Sequence, residues 1–126
     1  MTGAAEVLRV AAEHVDDLPE LAREPARAAL AELLVAAPAL DVLGAGALQA
    51  AREAWAWEPS TSAAIEALVS STTGFEGRRE LLHLAASEAL AARDRHERAA
   101  AEVIAALTRA GMVAVQAAWP LLAGAL

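Results

Sequence analysis

Residues 77–109 read GRRELLHLAASEALAARDRHERAAAEVIAALTR, and the spacing of the apolar side chains in this stretch decides the fold. Leu81, Leu82, Ala85, Ala89, Ala92, Ala99, Val103 and Ala106 recur at the three-, four- and seven-residue intervals that gather side chains into one seam along an α-helix. Thr73 and Glu76, just ahead, have the spacing of a capping box. A helix unbroken from Gly77 to Arg109 would run about 50 Å at 1.5 Å per residue, longer than its neighbours can cover. Within it Arg93, Asp94, Arg95, His96, Glu97 and Arg98 are polar all the way round, so the helix is expected either to protrude there or to break in two.

The rest of the chain reads the same way. Thr2 caps a first helix in which Val7, Leu8, Ala11, Val15 and Leu18 share a face, ending near Asp17 or Leu18 ahead of Pro19. Leu21 to Glu24 is expected to be a short link or a single turn, because Pro25 would remove a hydrogen bond from any helix begun at Pro19. The second helix then starts at Pro25, carries Ala26, Leu30, Leu33, Leu34 and Ala37, and stops at Pro38. Leu40 to Leu43 and the glycines 44 and 46 predict a bend or weak turn before a firmer helix from Ala47 to Trp57. Glu58, Pro59 and Ser60 mark a turn, after which a helix with Ile65, Leu68 and Val69 fades in the Ser70 to Gly74 cluster. Met112 to Leu126 is almost wholly apolar, interrupted by Gln116, Pro120 and Gly124. It is too short for a confident membrane span, which needs about 20 residues. A buried bundle helix is the first expectation, a docking helix the second, and membrane contact with Trp119 at the interface the third.

Composition agrees with the periodicity. Ala makes up more than a quarter of the 126 residues, and Tyr and Cys are absent. Ala, Leu, Glu and Arg are strong helix formers, whereas strands need β-branched and aromatic residues. The expected architecture is a single all-α domain over residues 1–126, an antiparallel bundle of four to six helices with a long C-terminal helix. The formal net charge is -7, from 17 acidic and 10 basic residues, every one of the latter Arg. Nucleic acid is not expected as a partner, because phosphate binding needs clustered positive charge. No disulfide or thiolate metal site can form without cysteine. Met1 to Glu6 carry an acid and no basic run, so a cytoplasmic protein, or one exported without a cleavable signal, is expected.

Catalysis needs polar groups convergent in a cleft, and three His with scattered carboxylates supply little, so no catalytic residue and no cofactor is assigned. Glu80 and His83 have the Glu-x-x-His spacing of carboxylate-bridged metal bundles. A dimer could supply a second half-site, with Glu53 as a further ligand. The plainer reading puts Glu80 in a first helical turn, where the dipole favours acids, and His83 at the surface. Arg78 and Arg79 could hold an anion, but Glu76 and Glu80 flank them as ion-pair partners. His96 shares the heptad position of Leu82, Ala89 and Val103, either as a pH-sensitive group in the seam or as a hydrogen-bonded boundary residue. Trp55 and Trp57 lie about 200° apart on a helix, so one fills the core and the other is an exposed anchor or a cap on the bundle end.

The stretch from Leu43 to Trp57, LGAGALQAAREAWAW, leads into Glu58 and Pro59 at a turn between two Ala-rich helices. Residues 5 to 105 here resemble the WxG-type and related ESX-associated helical-hairpin proteins of actinobacterial type VII secretion, in which a Trp-x-Gly turn joins two antiparallel helices. Pro59 stands where that family carries Gly, and the chain has no Tyr for the family's export signal. The resemblance implies pairing with another helical hairpin and a role beside the secretion machinery. Taken together, the residues predict a non-enzymatic helical protein that associates as a homo-oligomer or with a helical partner. The expected interface is Trp55, Trp57, Ala85, Ala89, Ala92, His96, Ala99 and Val103. A metal-binding bundle formed across a dimer and a membrane-active protein using residues 112–126 are the alternatives.

Overall fold

The second helix begins at Glu20 and runs straight through Pro25 to Val35, so Leu21 to Glu24 belongs to that helix and is neither a link nor a separate turn ahead of Pro25. The computed structural model that shows this describes residues 3–44, 46–57, 61–73 and 86–123, with side chains described for all of these except 57, 71–73 and 86–92. Pro25 lacks an N–H and so leaves the carbonyl four residues earlier, that of Leu21, without its helical donor. Leu21 is 93% exposed, which lets water take the vacant place. The same solution recurs at Pro120, which sits inside the last helix four residues after the exposed Gln116. A proline costs least where the carbonyl it orphans faces solvent.

The described residues form seven α-helices and no strand: α1 (Ala4–Glu13), α2 (Glu20–Val35), α3 (Ala37–Leu43), α4 (Ala47–Trp57), α5 (Thr61–Thr73), α6 (Ala86–Ala110) and α7 (Met112–Ala123). A 3-10 turn at Val15–Asp17 joins α1 to α2. The protein is thus an all-α bundle. Its helix count rises through α3, where a bend was expected: Pro38 lies in the first turn of that helix, a position where its missing N–H has no intrahelical partner to lose. Gly44 at φ 93° and Gly46 at φ 82° then separate α3 from α4, a backbone conformation that costs glycine nothing. Thr2, the expected cap of α1, lies outside the described residues. Gly3 occupies the cap position with no side chain to offer. The Ala4 amide donates instead to Asp41 Oδ1 at 2.9 Å, so α3 caps α1 across the fold.

α6 carries the centre of the core. Ala99, Ala100, Val103, Ile104, Ala106 and Leu107 are all buried, and the helix packs against α5, α3 and α2. α2 in turn packs against α7, which buries Ala114, Val115, Ala118 and Leu122. The buried apolar residues make one continuous cluster. Among the described residues no polar or charged side chain is buried. Each fully buried Leu or Ile, such as Leu8, Leu33, Leu68, Ile104 and Leu107, contributes roughly 1.5–3 kcal/mol, and the alanines let helix axes approach closely. The chain turns 112° between α6 and α7 at Gly111, whose φ of 88° and N–H···O bond to the Leu107 carbonyl (3.0 Å) form a helix C-cap. No single helix among the described residues is long and apolar enough to cross a membrane.

Candidate interaction groove

Packing α3 on α6 leaves a groove of about 240 Å³ lined by Pro38, Ala39 and Val42 from one helix and Arg95, Arg98, Ala99 and Glu102 from the other. The four α6 residues stand at i, i+3, i+4 and i+7, which places them on one face. α3 is only seven residues long and cannot cover that face along its whole length. The floor is apolar and wet: Val42 is 48% exposed although it adjoins the core residues Ala39 and Leu43. Covering this aliphatic surface with a partner would be favourable.

Charge surrounds this floor. Arg98 pairs with Asp94 one turn back, and Arg93 Nε donates to Glu97 Oε1 at 2.7 Å. The hydrogen bond to Glu97, and then its charge, raise the pKa of Arg93 above the ordinary value. Of the two expectations for the polar run, a protruding helix or a broken one, the first fits: among the described residues α6 continues unbroken through positions 93–98, exposed along most of this run, its local charges matched at i, i+4. Arg95 and Glu102 are different. Both are exposed, neither has an ion-pair partner among the described residues, and seven residues of helix put them about 10.5 Å apart along the axis, beyond direct contact. The groove therefore offers an apolar floor between one unmatched cation and one unmatched anion. Such an arrangement can bind a helix or peptide. Its lining holds no nucleophile, no His and no pair of carboxylates through which to carry a proton.

The expected interface residues are divided by the structure. Ala99 and Val103 are buried in the helix that packs on α2, α3 and α5, so the seam at these positions is filled by the chain's own helices. His96 is half-buried on the same helix. Trp55 is half-buried and packs on the core. Trp57 closes α4, but its side chain, those of Ala89 and Ala92, and the whole of Ala85 lie outside the described residues. So do Arg78, Arg79, Glu80 and His83. Glu53 is exposed and accepts a 2.7 Å hydrogen bond from Gln49 Nε2. Among the described residues no three potential ligands are gathered for a metal.

Sequence reading missed the groove itself, since nothing along α3 announces that Val42 stays open. It missed a second feature as well. The Arg52 guanidinium lies 4.1 Å over the Trp119 ring, tying α4 to α7, and Trp119 is half-buried and packs on the core. The one signal for the groove in the sequence is the Arg95, Arg98, Glu102 stripe at helical spacing, of which the polar run Arg93–Arg98 takes in only the first two. The chain matches no protein-family model, no curated protein and no solved structure.

Proposed function

We propose that this is a non-enzymatic helical protein that works by association, and that the α3/α6 groove is where its partner docks. The observation that carries this reading is Val42, an aliphatic side chain left half open to water on the floor of a groove whose two flanking charges, Arg95 and Glu102, lack partners among the described residues. Apolar burial at about 25 cal/mol per Å² supplies the drive, and the charges set orientation. The seam expected to form the interface is spent internally at Ala99 and Val103, so the docking face shifts one helical strip round, toward Arg95 and Glu102.

The chain has no native cysteine, which makes site-resolved cross-linking clean. A Val42→Cys variant carrying a short photoactivatable cross-linker is expected to give a discrete adduct in the native cell. Leu21→Cys, more accessible still on α2, is expected to give none. No adduct from position 42, or the same adducts from both positions, would overturn the reading. An adduct with a different small helical protein is the outcome that the resemblance to secretion-associated hairpins implies.

A further inference from the structure

We propose that the groove's occupant is a second copy of this chain, with the two α6 helices antiparallel about a two-fold axis that passes between positions 98 and 99. The inference rests on the groove being a docking site, and adds what docks there. Its warrant is the order of charges along one face of α6. In such a pair each position faces the one equally far on the other side of the axis. Arg95 therefore meets Glu102 of the second copy, and Glu102 meets Arg95 of the second copy.

Two charges that cannot reach each other within one helix, about 10.5 Å apart, thus find opposite partners twice over in the symmetric pair. An in-register parallel pair does the reverse. It sets Arg95 against Arg95 of the second copy and Glu102 against Glu102, so the charge pattern selects direction as well as partner. Ala99 and Ala39 are already buried beside this face, so the contact falls on Val42 and on the exposed side chains of Arg95, Arg98 and Glu102. Arg98 would crowd its symmetry mate if it carried a free charge, but Asp94 already neutralises it within the chain. Its aliphatic stem is then available to lie over the apolar floor. Val42, open to water in the single chain, is covered by the incoming helix.

The test is sedimentation equilibrium of the full chain and three variants. Wild type is expected to dimerise. Arg95→Glu and Glu102→Arg each place like charges at both crossings, and each is expected to raise the dimer dissociation constant about tenfold or more. The double variant Arg95→Glu/Glu102→Arg restores opposite charges at both crossings and is expected to return to within about threefold of wild type. Because it contains both substitutions, its recovery also shows that neither one unfolds the helix; circular dichroism of each variant checks the same point. A wild-type chain that stays monomeric at near-millimolar concentration overturns the self-pairing, as do single reversals without effect or a double variant as weak as the singles. A monomeric chain that still gives a discrete Val42 adduct of another mass would sink the self-pairing alone and leave the docking reading standing.

Discussion

The two halves of α6 are held in one helix by different physics. From Ala99 to Ala110 the helix is fixed by tertiary burial: Ala100, Val103, Ile104, Ala106 and Leu107 are essentially inaccessible to water. From Arg93 to Arg98 there is little burial, and the turn is held by the Arg93–Glu97 and Arg98–Asp94 pairs along its own surface. A polar stretch therefore does not end a helix when its charges match at i, i+4 and its neighbours propagate the backbone. Among the described residues it bounds the core instead, and leaves a face that the other described helices do not cover. The sharpest way to break this contrast is to place a charge on each side of the boundary. Ala100→Glu buries an unpaired carboxylate and is expected to cost more than about 4 kcal/mol, enough to prevent cooperative folding, as read by urea melts followed by circular dichroism. A folded Ala100→Glu chain with a near-native midpoint would mean that the buried half of α6 is not what organises the bundle.

α3 connects the two regimes, because one side of this short helix reaches α1 and the other lines the groove. Asp41 accepts the Ala4 amide, while Val42, the next residue, is open to water. Asp41→Ala removes the cap from α1 and is expected to cost about 1 kcal/mol in the same urea melts. Hydrogen exchange should localise the loss to the first turn of α1, and the groove should keep its cross-linking pattern at position 42. If exchange rose equally in α6, the two sides of α3 would be one cooperative unit, and the division drawn through it would fail.

How much of this was legible depended on whether the cause was local. The bounds of α4 at Ala47 and Trp57, and the course of α5 from Thr61 into the Ser70 cluster, follow from glycine, proline and cap residues that act on their own neighbours. The start of α2 was not legible, because the cost of Pro25 depends on whether the Leu21 carbonyl faces water, and that is decided by tertiary packing. The true cap of α1 was hidden for the same reason: Asp41 lies 37 residues from the amide it serves. The groove failed to declare itself because its two walls are distant in sequence. Arg95, Arg98 and Glu102 look like any solvated strip until α3 is seen to leave Val42 uncovered beside them. Ala99 and Val103 were correctly placed on the apolar side of their helix, yet periodicity alone cannot say whether a seam faces the same chain or another.

The smallest expected effect sharpens the comparison from the polar side. Arg93→Ala removes one i, i+4 pair with Glu97 from the exposed part of α6 and should lower the urea midpoint only slightly in low salt. The cost should shrink in 1 M salt, where the screening length falls to about 3 Å. Alanine is the stronger helix former, which offsets part of the loss and keeps the backbone helical. Urea melts of wild type and variant at both ionic strengths measure the difference directly. A large loss that salt does not reduce would mean that Arg93 is anchored by packing rather than by its surface pair. The polar half of α6 would then belong to the core, and the open face beside it would need another cause.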